Sequence, residues 1–461
     1  MSDILTPYCE TLQGKTVAVL GAGVSNKPLI KLLLDHGVAV TVRDKSGPET
    51  FPAELLAGWT AKGAALRLGE DYLEDLTEEV IFRSPGIMPH TPQLVQAVKR
   101  GSVLTSEMEA FMELCPCPIT AVTGSDGKTT TTTIIAGLLK AAGYKTWLGG
   151  NIGTPLLDKV EEMAAQDRVV LELSSFQLMT MPRSAQTAVV TNVAPNHLDK
   201  HTDMDEYVAA KENVFAHQDQ GGKVILNYDN AITRGFAPKA PGQVVFFSRR
   251  EVLGDGVCVQ DGAIWRKGVK VLDLSGITIP GAHNVENFMA AIAAVEGLVD
   301  DGTVRRFAKE FGGVEHRIEL VRELGNVRYY NDSIASSPSR TIAGLHSFDQ
   351  KVILIAGGYD KHIPFDVLGP EVVSHVKRLY LTGDTASKIR AAVEQAAGFD
   401  PEALPIVETA DLKEAVEEAY RAAEPGDVVL MSPACASFDK YKNFMERGEA
   451  FKAIVAALPE R

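Results

Sequence analysis

The segment AVTGSDGKTTTTTIIAGLL, residues 121–139, connects an apolar run to a helical pattern through two glycines and a Lys-Thr pair. A phosphate-binding P-loop has the pattern G-x-x-x-x-G-K-[ST] and lies between a strand and a helix. Here Gly127 opens the Gly-Lys-Thr part of that pattern, but Val122 occupies the position of the first glycine, and Gly124 stands two residues later. The segment therefore predicts a modified P-loop.

The residue types in this loop suit a bound phosphate. Glycines allow backbone amides to turn inward, and the N-terminus of the following helix points its dipole at the same place. Lys128 adds a full positive charge, and Thr129 offers a hydroxyl to Mg²⁺. The β-branched run Thr130–Thr133 is expected mainly to pack. A glycine-rich turn with a solvated lysine is disfavoured, because strand, glycines, Lys-Thr pair and helix all agree.

Composition limits the class of protein. The 461 residues suggest about three domains, and 45% hydrophobic with 23% charged residues is typical of a soluble globular protein. A net charge of -14 argues against a general nucleic-acid binder. Five scattered cysteines indicate thiols in a reducing compartment rather than a disulfide framework. We find no signal peptide and no membrane-spanning run, so we expect a cytoplasmic protein without membrane insertion.

Buried strands that end in glycine turns recur along the chain and alternate with helical patterns. Examples are KTVAVLGAG (15–23), PITAVTG (118–124) and KVILIAGG (351–358). This alternation predicts parallel sheets, whose ligands bind at the carboxyl ends of the strands. Asn284 is expected to cap a helix over 281–298. We predict three α/β domains in series: a Rossmann-like N-terminal domain over 1–106, a central P-loop ATPase-like parallel sheet over 107–314 and a Rossmann-like C-terminal domain over 315–461.

The loop TGSDGKTT (123–130) resembles the ATP-binding loop of the Mur ligases, which build the peptide of bacterial peptidoglycan; the related folylpolyglutamate synthases share it. LMSPACASFDKYKNFMERG (430–448) is similar to the members that add D-glutamate, and the DNPR segment of diaminopimelate- or lysine-adding members is absent. Further motifs resemble the family in chain order: LELSSFQL (171–178), TNVAPNHLD (191–199), YVAAKENVF (207–215), GAHNVENFMAA (281–291), EHRIE (315–319) and NDSIASSPSRT (331–341).

This resemblance implies a reaction and its partners. ATP would phosphorylate the carboxylate of UDP-N-acetylmuramoyl-L-alanine, the amine of D-glutamate would attack the acyl phosphate, and a tetrahedral intermediate would collapse to amide and phosphate. ATP and two Mg²⁺ ions are implied, and we expect a monomer that binds no nucleic acid. Three alternatives stay open: a relative that adds another amino acid or glutamyl tail, a nicotinamide-dependent oxidoreductase built on Gly21 and Asp44, and a non-catalytic nucleotide-binding module.

The resemblance also implies the nucleotide and metal residues. Lys128, His197 and Lys211 would be catalytic. Lys211 would be carbamylated, because an unmodified ammonium would repel the cation that it is expected to bind. The metal ligands would be Thr129, Glu172, His197 and Lys211. The nucleotide would contact Gly124, Ser125, Asp126, Gly127, Lys128, Thr129, Thr130, Asn287, Arg317 and Asp332.

Two further sets of residues are expected at the substrates. The glycine turn that begins at Gly21 lacks the third glycine of the dinucleotide fingerprint, so alone it is a weak signal. Where many D-glutamate-adding members have a lysine, this chain has Ile334, which cannot bind a carboxylate. The UDP-muramoyl substrate would contact Ser25, Asp44, Lys45, Ser84, Asn151 and Ser174. D-glutamate would contact Ser336, Lys361, Ser437, Phe438 and Phe444.

Overall fold

The computed structural model describes residues 3–460. The chain forms two compact units: unit 1 comprises Met1–Leu274 and Glu286–Phe307, and unit 2 comprises Ser275–Val285 and Ala308–Arg461. Three separate β-sheets make up the fold, which confirms the predicted α/β class. The domain boundaries after residues 106 and 314 stay predictions. Within the described residues, no helix is long and apolar enough to cross a membrane.

The first sheet lies in unit 1 and has five strands in the order β3-β2-β1-β4-β5. All its pairings are parallel, as in a Rossmann-type sheet. The strands are β1 Val17–Leu20, β2 Val40–Asp44, β3 Ala65–Leu68, β4 Val80–Arg83 and β5 Val103–Thr105. The helices are α1 Leu5–Glu10, α2 Asn26–Asp35, α3 Ala53–Ala61, α4 Pro92–Lys99 and α5 Glu107–Leu114.

The second sheet, also in unit 1, has nine strands in the order β14-β13-β12-β11-β10-β9-β6-β8-β7. Strands β6 to β12 pair in parallel, and β12, β13 and β14 form antiparallel hairpins at one edge. The strands are β6 Ile119–Thr123, β7 Thr146–Gly150, β8 Arg168–Glu172, β9 Thr187–Val190, β10 Lys223–Asn227, β11 Gln243–Ser248, β12 Gly256–Gln260, β13 Ala263–Arg266 and β14 Val269–Asp273. The helices that follow α5 along the chain are α6 Lys128–Ala141, α7 Ser175–Leu178, α8 Met204–Glu212, α9 Ala231–Arg234, α10 Ala282–Ala294 and α11 Asp301–Glu310.

Strand β6 occupies the middle of this second sheet, which decides where the predicted phosphate loop lies. Val122 pairs with Glu172 on one side and with Val189 on the other. The carboxyl ends of β6, β8 and β9 therefore meet at one edge, where open α/β sheets bind ligands. The segments that follow these three strands carry most of the predicted catalytic residues.

The third sheet lies in unit 2 and has six strands in the order β15-β16-β20-β17-β18-β19. Only the β15–β16 pairing is antiparallel. The strands are β15 Glu319–Leu324, β16 Val327–Asn331, β17 Val352–Ala356, β18 Val376–Leu381, β19 Ile406–Glu408 and β20 Val428–Met431. The helices are α12 Pro338–Leu345, α13 Leu368–His375, α14 Ala386–Glu394, α15 Leu412–Ala422 and α16 Phe444–Ala456.

The predicted cap at Asn284 is wrong. Helix α10 begins at Ala282, two residues earlier, so Asn284 lies within the first turn. Gly281 adopts a left-handed conformation with φ +96°, which ends the preceding segment and sets the helix start. The side-chain amide of Asn284 donates to the carbonyl oxygen of Pro280 at 2.6 Å.

Arg447, a buried arginine on α16, forms hydrogen bonds with two loops at one edge of the third sheet. Nη2 of Arg447 donates to the carbonyl oxygens of Ser333 at 2.9 Å and Cys435 at 3.0 Å. Nη1 donates to the carbonyl oxygen of Ala436, and Nε donates to the hydroxyl of Ser333, both at 3.0 Å. Burial lowers the pKa of Arg447 to about 10, and the group stays charged at neutral pH. Carbonyl dipoles thus hold this cation and fix the loops that follow β16 and β20.

We expect Arg447→Lys to destabilise unit 2 by about 3 kcal/mol, because an ammonium cannot reproduce the planar fork of donors. Hydrogen exchange followed by mass spectrometry should show faster exchange in peptides that cover β16 and β20. The control is Arg421→Lys, whose exposed ion pairs with Glu417 and Glu418 should contribute less than about 1 kcal/mol. Equal exchange in the two variants would contradict the assigned role.

Candidate active site

The predicted phosphate loop connects the end of β6 at Thr123 to the start of α6 at Lys128. Its two glycines have positive φ angles, +148° at Gly124 and +76° at Gly127. A Cβ at Gly124 would overlap the hydroxyl of Thr191, and a Cβ at Gly127 would overlap Oδ1 of Asn287. Both positions therefore need glycine for conformation and for space.

Asn287 forms part of the wall of this loop. It lies on α10 and is buried, and its Oδ1 accepts a hydrogen bond from the hydroxyl of Thr131 at 3.1 Å. The amide therefore packs against the start of α6 beside Gly127, and its predicted contact with the nucleotide stays a prediction. Thr130 and Thr131 are buried, as expected for packing residues.

The segment that follows β9 holds the loop from one side. The backbone amide of Ser125 donates to the carbonyl oxygen of Asn192 at 2.9 Å, and that of Asp126 donates to Oδ1 of the same asparagine at 3.0 Å. The hydroxyl of Ser125 donates to the carbonyl oxygen of Ala194 at 2.9 Å. These contacts use donors that were expected to face the phosphate. The loop leads into the N-terminus of α6, where the helix dipole favours an anion.

A hydroxyl, a carboxylate and an amide form a polar group beside the loop. The hydroxyl of Thr129 donates to Oε2 of Glu172 at 2.7 Å. The side-chain amide of Asn151 donates to Oε1 of Glu172 at 2.8 Å. Asn151 was expected at the muramoyl substrate, whereas the structure places it against the candidate metal ligand. Hard oxygen donors at this spacing suit Mg²⁺.

Two lysine ammonium groups converge on the carbonyl oxygen of Gly124. Nζ of Lys128 donates to this oxygen at 3.0 Å, and also to the carbonyl oxygen of Ser125 at 2.9 Å. Nζ of Lys211 donates to the Gly124 oxygen at 2.8 Å and lies 4.4 Å from the ring centroid of Tyr207. Lys211 lies on α8 and is only 1% exposed.

The surroundings of Lys211 change its chemistry. Burial, together with the positive charge of Lys128, lowers the pKa of Lys211 to about 7. Near neutral pH, a large share of this side chain is therefore a neutral amine. Only a neutral amine has the lone pair that attacks CO₂, so the structure meets the chemical condition for carbamylation.

His197 lies on the segment that follows β9 and has a left-handed backbone, with φ +55°. Its ring is 5.2 Å from the ring of Phe176 in an edge-on arrangement. Burial and the charge of Lys128 lower the pKa of His197, which favours the neutral imidazole that ligates metals. Strained backbone of this kind is common at functional sites.

Residues that the sequence analysis did not single out pack around Phe176, whose ring contacts His197. The Phe176 ring stacks on the buried ring of His201 at 5.1 Å, with an interplanar angle of 9°. Nε2 of His201 contacts the hydroxyl of Ser175 at 2.9 Å. Nη2 of Arg83, at the end of β4, donates to the carbonyl oxygen of Phe176 at 2.9 Å. Arg83 thus connects the first sheet to the aromatic support of His197. The spacing of two histidines four residues apart was the available signal for His201.

The carboxyl ends of β1, β2 and β4 meet at the edge of the first sheet. The Asp44 carboxylate accepts from the amide of Ala22 at 2.6 Å and from the amide of Ser46 at 2.8 Å. It therefore fixes two loops through hydrogen bonds to their backbone amides. A Cβ at Gly21 would lie 2.9 Å from Cβ of Ser84. Gly21 and Ser84 are thus in close contact at this edge.

Three further residues of the UDP-muramoyl set have different surroundings. Ser25 precedes α2 and is partly exposed. Lys45 is exposed, with Nζ 3.8 Å from the carboxylate of Glu70. Ser174 caps α7, and its hydroxyl exchanges hydrogen bonds with Gln177 in a capping box. The hydroxyl of Ser174 therefore has a structural partner already.

Within unit 2, Asp332 follows β16 and is fully buried at its carboxylate. Its Oδ2 accepts from the hydroxyl of Ser432 at 2.7 Å. Burial raises the pKa of Asp332 to about 7, and the hydrogen bond from Ser432 and the charge of Arg317 oppose that rise. Asp332, which was expected at the nucleotide, thus has a low-dielectric setting influenced by the charge of Arg317.

The residues expected at D-glutamate also lie in unit 2, on loops that follow three adjacent strands. Ser336 follows β16, Ser437 follows β20 and Lys361 follows β17, and the sheet order is β16-β20-β17. The topology therefore brings these loops to one edge. Lys361 is exposed and Ser437 is buried.

The aromatic members of this set differ in exposure. Phe438 is 61% exposed, and its ring lies 5.8 Å from the ring of Tyr359. The Phe444 ring packs edge-on against His316 at 6.0 Å. Beside Ile334, Nη1 of Arg340 donates to the Ile334 carbonyl oxygen at 3.1 Å. A guanidinium thus lies next to the position where the family resemblance led us to expect a lysine.

Comparison with known proteins finds relatives that are similar over nearly the whole chain. The chain matches the Mur ligase middle domain over residues 122–295 and the Mur ligase glutamate ligase domain over residues 316–435. It is 52% identical to the UDP-N-acetylmuramoylalanine--D-glutamate ligase of Acetivibrio thermocellus, covering 99% of this chain and 100% of that protein. It is 49% identical to the ligase of the same name from Ruminiclostridium cellulolyticum, covering 99% of each.

The chain belongs to the Mur ligase family. The resemblance noted from the sequence is confirmed, and the oxidoreductase interpretation of Gly21 and Asp44 falls away. Among solved structures, the fold is similar to a UDP-N-acetylmuramoyl-L-alanyl-D-glutamate--2,6-diaminopimelate ligase, with a TM-score of 0.59 at 18% identity over 96% of this chain and 93% of that chain. A UDP-N-acetylmuramate-alanine ligase from Thermotoga maritima gives 0.57 at 18% identity over 96% and 99%.

The residues present fit the predicted ATP site, since the loop has the left-handed glycines of a phosphate loop and leaves no room for a Cβ at Gly124 or Gly127. We expect Gly127→Ala to weaken ATP binding at least about 10-fold, because the new Cβ would displace Asn287 and deform the loop. Isothermal titration calorimetry measures the change. The matched control is Gly143→Ala, which also has a positive φ, +92°, but open space around the new Cβ. Equal losses in both variants would show that backbone strain alone is responsible.

Proposed function

We propose that the chain is an ATP-dependent carboxylate-amine ligase that adds D-glutamate to UDP-N-acetylmuramoyl-L-alanine through an acyl phosphate, in peptidoglycan precursor synthesis. The observation that carries this proposal is the full-length similarity, at 52% identity, to a ligase whose name states those substrates. A glycine cradle, a Thr129–Glu172 pair and a buried Lys211 at one sheet edge support it. The same proposal includes the three domains 1–106, 107–314 and 315–461, a monomeric state and a cytoplasmic location.

The residues of this edge would act by position and charge. The first amides of α6 and the ammonium of Lys128 would orient the phosphates. Thr129 and Glu172 would hold a Mg²⁺ ion, with Asn151 fixing the carboxylate. When bound, Mg²⁺ offsets the charges of ATP and of the substrate carboxylate. The protein then contributes mainly alignment, because phosphoryl transfer to a carboxylate needs little covalent help.

Carbamylation of Lys211 is part of the proposal. The neutral amine nitrogen would form a bond to the carbon of CO₂, and the nitrogen proton would leave to solvent, so that the product carries one negative charge. This replaces a cation beside Lys128 by an anion, which removes a repulsion and creates an oxygen ligand. His197 and the carbamate would then hold a second Mg²⁺ ion.

The substrate residues follow from the family resemblance and stay proposals. Asn287, Arg317 and Asp332 would serve the nucleotide. The charge that Ile334 cannot supply would come from Lys361, with Arg340 as the neighbouring cation. The UDP-muramoyl substrate would meet Ser25, Asp44, Lys45, Ser84, Asn151 and Ser174, and D-glutamate would meet Ser336, Lys361, Ser437, Phe438 and Phe444.

We expect Lys211→Ala to reduce turnover by about 100-fold or more, because a metal ligand is lost. Acetate or formate should restore part of the rate, since a free carboxylate can replace the carbamate oxygens. Lys211→Arg should be as inactive as the alanine variant, because a guanidinium keeps its charge and does not react with CO₂. Lys140→Ala, at an exposed position of α6, is the control and should keep full activity. An unimpaired Lys211→Ala enzyme would disprove the assigned role.

Amino-acid specificity tests the proposed function itself. Phosphate release from ATP with UDP-N-acetylmuramoyl-L-alanine should require D-glutamate, and L-glutamate, lysine and diaminopimelate should not replace it. The measurement is a coupled phosphate assay with each amino acid offered separately, and mass spectrometry of the product confirms the new amide. Release that depends on a different amino acid would keep the ligase chemistry and refute the D-glutamate assignment.

A further inference from the structure

Two histidines and a glutamate of unit 2 form a cluster that the ligase reaction does not use. His346 follows the C-terminus of α12, and Glu371 and His375 lie one turn apart on α13. We call these three residues the α12–α13 cluster. Each side chain offers one possible ligand atom, a histidine ring nitrogen or a carboxylate oxygen of Glu371. These three atoms lie within 4.8 Å of one another.

The distances inside the α12–α13 cluster match a metal site. Nε2 of His346 is 2.7 Å from Oε2 of Glu371, and Nδ1 of His375 is 3.4 Å from the same oxygen. The two imidazole ring centroids are 4.8 Å apart. A tetrahedral zinc ion with bonds of about 2.0–2.1 Å places its ligand atoms about 3.3 Å apart. Small side-chain rotations therefore bring all three groups to coordination distance.

The electrostatic setting favours a cation at the α12–α13 cluster. Both histidines stand at the C-terminal ends of helices, where the helix dipole is negative. Glu371 adds a carboxylate, and the side chains are one-third to one-half exposed, so a hydrated ion can enter. Imidazole nitrogens favour zinc and its neighbours over Mg²⁺, which prefers oxygen ligands.

A second cluster in the same unit shows what makes the first one different. Glu315, His316 and Glu449 also lie within ligand distance of one another. However, Nζ of Lys452 is 2.8 Å from the Glu315 carboxylate and 3.0 Å from the Glu449 carboxylate. An ammonium group already neutralises those carboxylates, so this cluster has no need of a metal ion and provides an internal control.

We propose that the α12–α13 cluster is a site for one Zn²⁺ ion, with His346, Glu371 and His375 as ligands and water in the fourth position. The metal replaces the proton shared between His346 and Glu371, and His375 exchanges its bond to the Glu371 carbonyl oxygen, 3.1 Å long, for a bond to the ion. Two helices are thereby cross-linked. Because α12 begins directly after the loop that carries Ser336, the bound ion also restrains that loop.

The test measures zinc binding by equilibrium dialysis of the full chain, stripped of metal, with excess Mg²⁺ present. The parent protein carries His197→Gln, so that zinc at the predicted catalytic metal site does not obscure the result. We expect His346→Gln, His375→Gln and Glu371→Gln each to lose one equivalent of bound zinc or to bind it at least 10-fold more weakly. Replacing Zn²⁺ by Co²⁺ should give a tetrahedral visible spectrum that the same variants lose.

Two control variants decide whether the binding is specific. His217→Gln removes an exposed histidine elsewhere, and Glu449→Gln alters the cluster that Lys452 neutralises; both should bind as much zinc as the parent. Zinc should also slow hydrogen exchange in peptides of α12 and α13 of the parent, which reports the cross-link without reference to activity. Equal zinc binding in the parent and in all three cluster variants, or an equal loss in the controls, would overturn the proposal.

Discussion

The carbonyl oxygen of Gly124 accepts hydrogen bonds from two lysines, and the candidate active site depends on this convergence. Two ammonium groups on one acceptor repel each other, and burial of Lys211 strengthens the repulsion because little water screens it. Burial of the Lys211 ammonium away from water lowers its pKa to about 7, and the charge of Lys128 adds to that shift. The arrangement becomes favourable when anions arrive: phosphate oxygens beside Lys128 and a carbamate on Lys211 would each remove part of the repulsion. The two lysines around the Gly124 carbonyl oxygen therefore favour negatively charged groups at this site.

Local sequence was sufficient for the phosphate loop and for the strands around it. Gly124, Gly127 and the Lys-Thr pair lie within six residues, so their pattern reports one turn and one helix start. The same local logic could have found the β12–β14 hairpins that were missed. Asp261-Gly262 and Lys267-Gly268 are two-residue turns with positive φ at every position, and Asp-Gly is a strong hairpin signal. The prediction of an all-parallel central sheet left no place for these antiparallel hairpins.

Contacts between distant residues could not be predicted from the residue types. Asn151 contacts Glu172 across neighbouring strand ends, and Asn192 accepts hydrogen bonds from the backbone amides of Ser125 and Asp126, which are 67 and 66 positions away. No periodicity encodes such pairings, because they follow from sheet order rather than from local conformation. The family resemblance assigned Asn151, Glu172, Ser125 and Asp126 to ligands, but it did not say which of them also form hydrogen bonds within the protein.

The residues assigned to the phosphates and those assigned to the amino acid lie on different kinds of structure. The phosphate residues stand at a strand end and at the first turn of a 14-residue helix, whose backbone leaves little freedom. The residues assigned to the amino acid stand on loops after β16, β17 and β20. Arg447 holds two of these loops by bonding to their backbone carbonyl oxygens. A clamp on the backbone tolerates changes of side chain, so Ile334 can replace a lysine while the loop keeps its path. Under the proposed assignment, amino-acid specificity would then change on these loops by side-chain substitution alone.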